Sequence, residues 1–247
     1  MNRPVLDWPL PRVLAHRCGG ALAPENTLAG LRIAAAMGLK AVEFDVMLSF
    51  DGSPWLIHDE TLERTTNGTG RVCDTPDTVL QGLDAGAYLH RSFAGEPLPT
   101  FEAIVALCRE LGLKANVEVK PATGFELLTG EVVARRILDL WQGESLPLVS
   151  SFSDVALEAA RRIAPALPLG YLCDRPPADW QNRIKALGAY SLHCSAREID
   201  DSVIQAAAEI GIPVLCWTVN DRCEAETLFR RGVASVFSDR IDTVAGV

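Results

Sequence analysis

The sequence predicts a (β/α)8 TIM barrel with a small insertion after its second strand, and three observations lead there. Short β-branched or apolar runs alternate with helix-length segments whose apolar residues recur at three- and four-residue spacing, the pattern of a parallel sheet with helical crossovers. Eight such runs occur, enough to close a barrel. Glycines follow five helical segments, at Gly38, Gly112, Gly188, Gly211 and Gly232, where a helix end calls for left-handed backbone. At 247 residues and 48% hydrophobic content the chain can bury one large core, so residues 1–247 are expected to form a single barrel domain.

In chain order, the first strand is expected at Val13–His16, ahead of Gly19 and Gly20. Pro24-Glu25-Asn26-Thr27 starts the helix Thr27–Met37, with Glu25 and Asn26 placed to tie down the His16 loop. The run AVEFDVML supplies the second strand, Ala41–Leu48. Between Ser49 and Thr100 the rhythm breaks: an Asp51-Gly52 turn and the run Trp55–His58 read as a tight hairpin, and Asp59–Pro99 as a lid-like insertion over the barrel mouth. The remaining strands are expected at Ala115–Val119, Leu148–Ser151, Leu169–Leu172, Tyr190–His193, Val214–Thr218 and Ser235–Phe237. Helices are expected at Phe101–Glu110, Gly130–Leu140, Val155–Ile163, Ala178–Ala186, Ser202–Ile210 and Cys223–Arg230.

Composition narrows the function. A net charge of −9 disfavours binding nucleic acid through its phosphates and favours a small anionic ligand in a local basic pocket. The seven cysteines are odd in number, scattered and never spaced CxxC, which argues for a reducing compartment and against a disulfide framework or structural zinc. The opening MNRPVLDWPLPR has no apolar stretch of a signal peptide, and no segment supplies the roughly 20 apolar residues of a membrane span. The expectation is a cytoplasmic protein without stable membrane insertion, with homo-oligomerisation left open.

Chemistry concentrates in a few residues. Glu43 and Asp45 are two apart on a strand, so both side chains leave one face, and on a barrel strand that face points inward. Their mutual repulsion is relieved most simply by a cation, and hard oxygen ligands suit Mg²⁺ or Ca²⁺. Glu118 and Lys120 repeat the spacing in NVEVKP; Glu118 would complete a metal site and Lys120 meet a phosphate, against the plainer reading of a local ion pair. His16 and Arg17 end the first strand, where barrels keep their chemistry: arginine offers a fork for phosphate oxygens, histidine a proton near neutral pH. His58 would be the second acid-base group. Phe152, His193 and Trp217 fall at strand ends and are candidates to line the pocket, Trp217 as a wall for the substrate. Three carboxylates, one divalent cation and the charges of Arg17 and Lys120 leave a single positive charge, which suits a phosphodiester.

The order HR, PENT, ExD, HD, followed by LERTTNG, LDAG, GEPLPTF, NVEVKP, SSF and WTVN, resembles the glycerophosphodiester phosphodiesterase family, especially its small bacterial cytosolic members, over nearly the whole chain. The resemblance implies metal-dependent hydrolysis of glycerophosphodiesters to sn-glycerol 3-phosphate and an alcohol in phospholipid and glycerol metabolism. It implies His16 and His58 as acid and base, Glu43, Asp45 and Glu118 as metal ligands, and Arg17, Lys120 and Trp217 as substrate contacts. Two rivals compete: a barrel phospholipase, which would need a membrane-docking surface, and a barrel that only binds phosphorylated ligands, for which paired histidines are superfluous. One departure stands out: the family reads HRG where this chain has Cys18. If that position has positive φ, Gly19 and Gly20 are expected to supply the freedom a cysteine lacks.

Overall fold

The computed structural model describes residues 9–142 and 145–246; the expectation that the chain opens without a leader falls mostly on residues 1–8, outside that range. The strands are β1 (Val13–Ala15), β2 (Ala41–Leu48), β3 (Pro54–Leu56), β4 (Lys114–Val119), β5 (Leu148–Ser151), β6 (Leu169–Cys173), β7 (Ser191–Ser195), β8 (Val214–Trp217) and β9 (Ser235–Ser238). All except β3 run parallel, in the order β1-β9-β8-β7-β6-β5-β4-β2, and the β1–β2 pairing closes the barrel. The helices are α1 (Leu28–Ala36), α2 (Asp77–Leu80), α3 (Phe101–Leu111), α4 (Glu126–Leu140), α5 (Asp154–Ile163), α6 (Trp180–Leu187), α7 (Asp201–Glu209), α8 (Arg222–Arg231) and α9 (Ile241–Val244).

All eight residues of β2 are buried, because a parallel barrel strand is covered on both sides. Its alternation is therefore chemical: Val42, Phe44 and Val46 join the apolar layer under the helices, while Glu43 and Asp45 point to the barrel axis. Phe44 meets Phe101 of α3 edge-on, with ring centroids 6.3 Å apart, in that layer. Truncating either ring would cost about 3–5 kcal/mol. Leu14, Ala41, Leu148, Leu215 and Phe237 form a separate apolar cluster, with Phe237 reaching the cleft at the C-terminal mouth, where barrels keep their chemistry.

The insertion has its own apolar cluster, in which Trp55, Ile57, Leu62, Val72, Leu80 and Leu98 pack on Met47 of β2 and Ala122. The Asp51-Gly52 turn forms as read, with Gly52 at φ 78 and its N–H donating to the Ser49 carbonyl. β3 is shorter than expected: it pairs antiparallel with β2 through Leu56, and His58 lies two residues beyond its end rather than closing it. α4 starts at Glu126, four residues before the expected Gly130. Gly130 is an interior helix residue, not a boundary: a Cβ there would lie 2.3 Å from the Ala156 carbonyl oxygen, so glycine lets α4 and α5 touch. All five helix-end glycines have positive φ.

Candidate active site

The loop after β1 brings the first half of the site together. Arg17 and Cys18 both have left-handed backbone, at φ 49 and 73, at a cost of about 1–3 kcal/mol each. Three backbone hydrogen bonds hold the loop: Cys18 N–H to the Glu43 carbonyl, Gly20 N–H to His16, and Asn26 N–H to Arg17. Of the two glycines expected to relieve Cys18, Gly20 takes positive φ, at 58, while Gly19 sits at φ −126 and Cys18 carries a positive φ itself. Gly30 of α1 makes room for it: a Cβ there would come within 2.9 Å of the Cys18 Cβ. The strained turn aims the Arg17 N–H at Glu43 Oε2, 2.9 Å away.

Glu43, Asp45 and Glu118 meet at the axis because β2 and β4 are in register, Asp45 opposite Glu118. One oxygen of each lies within 4.8 Å of the others, and all three side chains are buried. Burial raises the pKa of Glu43 well above the usual carboxylate range, with the charges of Asp45 and Glu118 adding to it. Glu118 is likewise raised to about 7 by burial and by Asp45. Asp45 differs: burial pushes it up, but Lys120, His58 and Arg17, with a hydrogen bond from Asn26, outweigh burial and lower it. Asn26 Nδ2 donates to Asp45 Oδ2 at 2.8 Å, and Asn26 Oδ1 accepts from the Asp45 N–H. Glu43 Oε1 is buried without a hydrogen-bond partner. A buried, partnerless carboxylate oxygen within a three-carboxylate cluster fits a hard divalent cation.

Both histidines are held by Nδ1. His16 Nδ1 donates to Asp239 Oδ1 at 2.7 Å, which leaves Nε2 facing the cleft, 3.8 Å from Glu43 Oε2. His58 Nδ1 donates to Asp59 Oδ1 at 2.6 Å, and its Nε2 accepts from Lys120 Nζ at 2.6 Å. Burial lowers the His58 pKa, the nearby Asp45 opposing and Lys120 reinforcing the effect. Lys120 Nζ also lies 3.6 Å from Asp45 and 3.4 Å from Glu118. Arg17 spans Glu25, at 3.1 Å to both oxygens, and Asp45, at 3.9 Å. His16, Arg17, Glu43, Asp45, His58, Glu118, Lys120 and Trp217 line one cleft of about 480 Å³, whereas Glu25 and Asn26 stand behind it.

Trp217 and Phe152 form one wall, rings edge-on at 5.7 Å, and Phe152 is 46% exposed at the rim. His193 proves to be floor rather than strand-end rim: buried against Phe237, bonded to Ser191 Oγ at 2.9 Å, its pKa driven down to about 3 by burial. Asp239 and Asn220 were missed by sequence reasoning. Asn220 Oδ1 accepts from the Asp239 N–H at 2.8 Å, fixing the residue that holds His16. The only sequence signal was a polar Ser238-Asp239-Arg240 run after the last strand, at the mouth end where the other chemistry lies.

Comparison with known proteins bears on the family and the fold. The profile of the Glycerophosphoryl diester phosphodiesterase family matches residues 16–243. The chain is 31% identical over 233 residues, covering 94% of it and 95% of the relative, to a glycerophosphodiester phosphodiesterase of Caldanaerobacter subterraneus subsp. tengcongensis. A phosphodiesterase of Oleispira antarctica, solved with the product sn-glycerol-3-phosphate, superposes with a TM-score of 0.92 at 36% identity over 95% of both chains. A glycerophosphodiester phosphodiesterase of Agrobacterium tumefaciens superposes with a TM-score of 0.79 at 27% identity, over 96% of this chain and all of that one.

Proposed function

The chain belongs to the glycerophosphoryl diester phosphodiesterase family, and on that premise we propose that it cleaves glycerophosphodiesters to sn-glycerol 3-phosphate and an alcohol in a cleft built on Glu43, Asp45 and Glu118. One observation carries the reading: two histidines, each fixed through Nδ1 by a carboxylate, converge with Arg17 and Lys120 on a buried three-carboxylate cluster. A pure binding site has no use for a paired acid and base. Glu43, Asp45 and Glu118 would hold one divalent cation, Mg²⁺ or Ca²⁺ by the hardness of their oxygens, which when bound supplies polarisation of the phosphate and a lowered pKa for the attacking hydroxyl.

The protein's own residues supply the rest. Arg17 and Lys120 bind the diester oxygens, and Lys120 exchanges its bond to His58 Nε2 for one to phosphate, freeing that nitrogen for proton transfer. One histidine takes the nucleophile's proton and the other delivers one to the leaving alkoxide; the paired aspartates keep each ring oriented and stabilise its cationic form. Trp217, in the cleft wall, packs against the glycerol half, and the alcohol extends past the segment 59–99 toward solvent. A cytoplasmic setting is supported by seven unpaired cysteines. No helix among the described residues is long and apolar enough to cross a membrane.

Glycerol 3-phosphate release from glycerophosphocholine, glycerophosphoethanolamine and glycerophosphoglycerol tests the proposal. Rates within about tenfold of one another are expected, lost with chelator and restored by Mg²⁺ or Ca²⁺, while bis(p-nitrophenyl) phosphate should be worse in kcat/KM by about a hundredfold. A better kcat/KM on the chromogenic diester would point to a general phosphodiesterase. Full turnover after chelation would overturn the metal assignment.

A further inference from the structure

The LERTTNG motif contributes nothing to the cleft lining, yet its Arg64 joins the two halves of the site. The guanidinium makes four hydrogen bonds to two carboxylates. On one side Nη1 and Nη2 reach the two oxygens of Glu25 at 2.7 and 2.8 Å. On the other, Nε and Nη2 reach the two oxygens of Asp59 at 2.5 and 3.0 Å. Glu25 is the carboxylate that grips Arg17, and Asp59 is the one that holds His58. A continuous chain therefore runs Arg17, Glu25, Arg64, Asp59, His58, from the loop after β1 to the start of the insertion. We infer that Arg64 is a positioning residue, a planar clamp that sets the His58 ring relative to the Arg17 loop through Asp59 and Glu25.

Energetics favour that role over a stabilising one. The Arg64 side chain is 44% exposed and Asp59 30%, and ion pairs so open to water contribute little to global stability. What a doubly forked guanidinium provides is geometry: with both oxygens of each carboxylate bound, neither can swing without breaking two hydrogen bonds. His58 needs this support because it stands two residues past β3, where no sheet hydrogen bond fixes it. His16 has no such need: it follows the barrel strand directly, its N–H bonded to the Ser238 carbonyl. Other ties from the insertion to the barrel, Tyr88 Oη accepting from the Glu25 N–H and Glu96 Oε1 accepting from the Ala29 N–H, leave Asp59 untouched.

The inference rests on the proposed role of His58, so its test includes a cycle that separates the two. In the Mg²⁺-loaded enzyme acting on glycerophosphocholine, Arg64→Ala should lower kcat by about tenfold to a hundredfold while KM moves less than about threefold. In a His58→Ala background the same substitution should change kcat by less than about twofold, because its target is gone. Arg64→Lys keeps the charge without the fork and should stay well below wild type. An equal loss from Arg64→Ala in both backgrounds overturns the inference, as does a near-wild-type Arg64→Lys. Full activity of Arg64→Ala with His58→Ala disabled overturns the clamp alone; full activity of His58→Ala removes the His58 reading itself. Thermal melting of each variant shows whether the chain is folded, and the lysine variant keeps the test decisive should alanine fail to fold.

Discussion

Asp239 does for His16 what Asp59 does for His58, yet it lies 223 residues away in sequence. Its pKa is lowered: burial opposes ionisation, but the hydrogen bond and charge of His16 win. Asp239→Ala removes the group that orients the ring and stabilises its protonated form, so kcat should fall by about a hundredfold with KM little changed. Steady-state kinetics with metal-saturated enzyme checks this, and unchanged kcat would show that the barrel alone holds His16. His193 gives a second residue-scale prediction, for stability. Folded, it stays neutral down to about pH 3, whereas unfolded it binds a proton below about pH 6.5. The unfolded state thus holds more protons in that window, so stability present above about pH 6.5 is lost as pH falls toward 3. Relative to His193→Gln, the wild type should lose about 1.4 kcal/mol per pH unit between about pH 6 and 4 in urea titrations. Parallel curves would mean that the histidine titrates normally.

At the scale of elements, β2 and β4 juxtapose three carboxylates, and the metal-free cluster is self-opposed. Glu43→Gln removes a carboxyl that metal-free folding must either bury charged or protonate, while keeping an acceptor for the Arg17 N–H. In chelator this variant should be more stable than wild type by about 1–3 kcal/mol, and added Mg²⁺ or Ca²⁺ should raise the Tm of wild type but not of the variant. Calorimetry with and without the ion decides it; a less stable Glu43→Gln in chelator would mean that the cluster is not strained. Legibility in the sequence followed element type. The barrel strands and long helices were readable because burial on both sides makes near-continuous apolar runs, and Glu43, Asp45, Glu118 and Lys120 interrupt those runs at two-residue spacing. α2 and α9, of four residues each, were not, since one turn shows no periodicity. The start of α4 was misread because Gly130 answers to a neighbouring helix, which local sequence does not encode. Asp239, Asn220 and Arg64 escaped for a related reason: His16, Asp239 and Glu25, which give them their meaning, lie 223, 19 and 39 residues away.

For the molecule as a whole, the insertion and the barrel are coupled through His58. Leu80 is fully buried in the insertion's cluster and does not line the cleft. Leu80→Ala should destabilise that cluster by about 2–5 kcal/mol. It should also lower kcat at temperatures where far-UV circular dichroism still reports an intact barrel, because His58 is carried at the segment's base. Activity that falls only with the global melt would show the two units to be energetically one.

The pairing of His16 with Asp239 has a consequence for how the enzyme comes into being. A ribosome makes β1 first and β9 last, and these strands become neighbours only when the ring shuts. Until then His16 lacks its carboxylate, even if Glu43, Asp45, Glu118 and His58 are already in place. The His16–Asp239 pair can therefore form only once the whole barrel has been made, since one partner follows its first strand and the other its last.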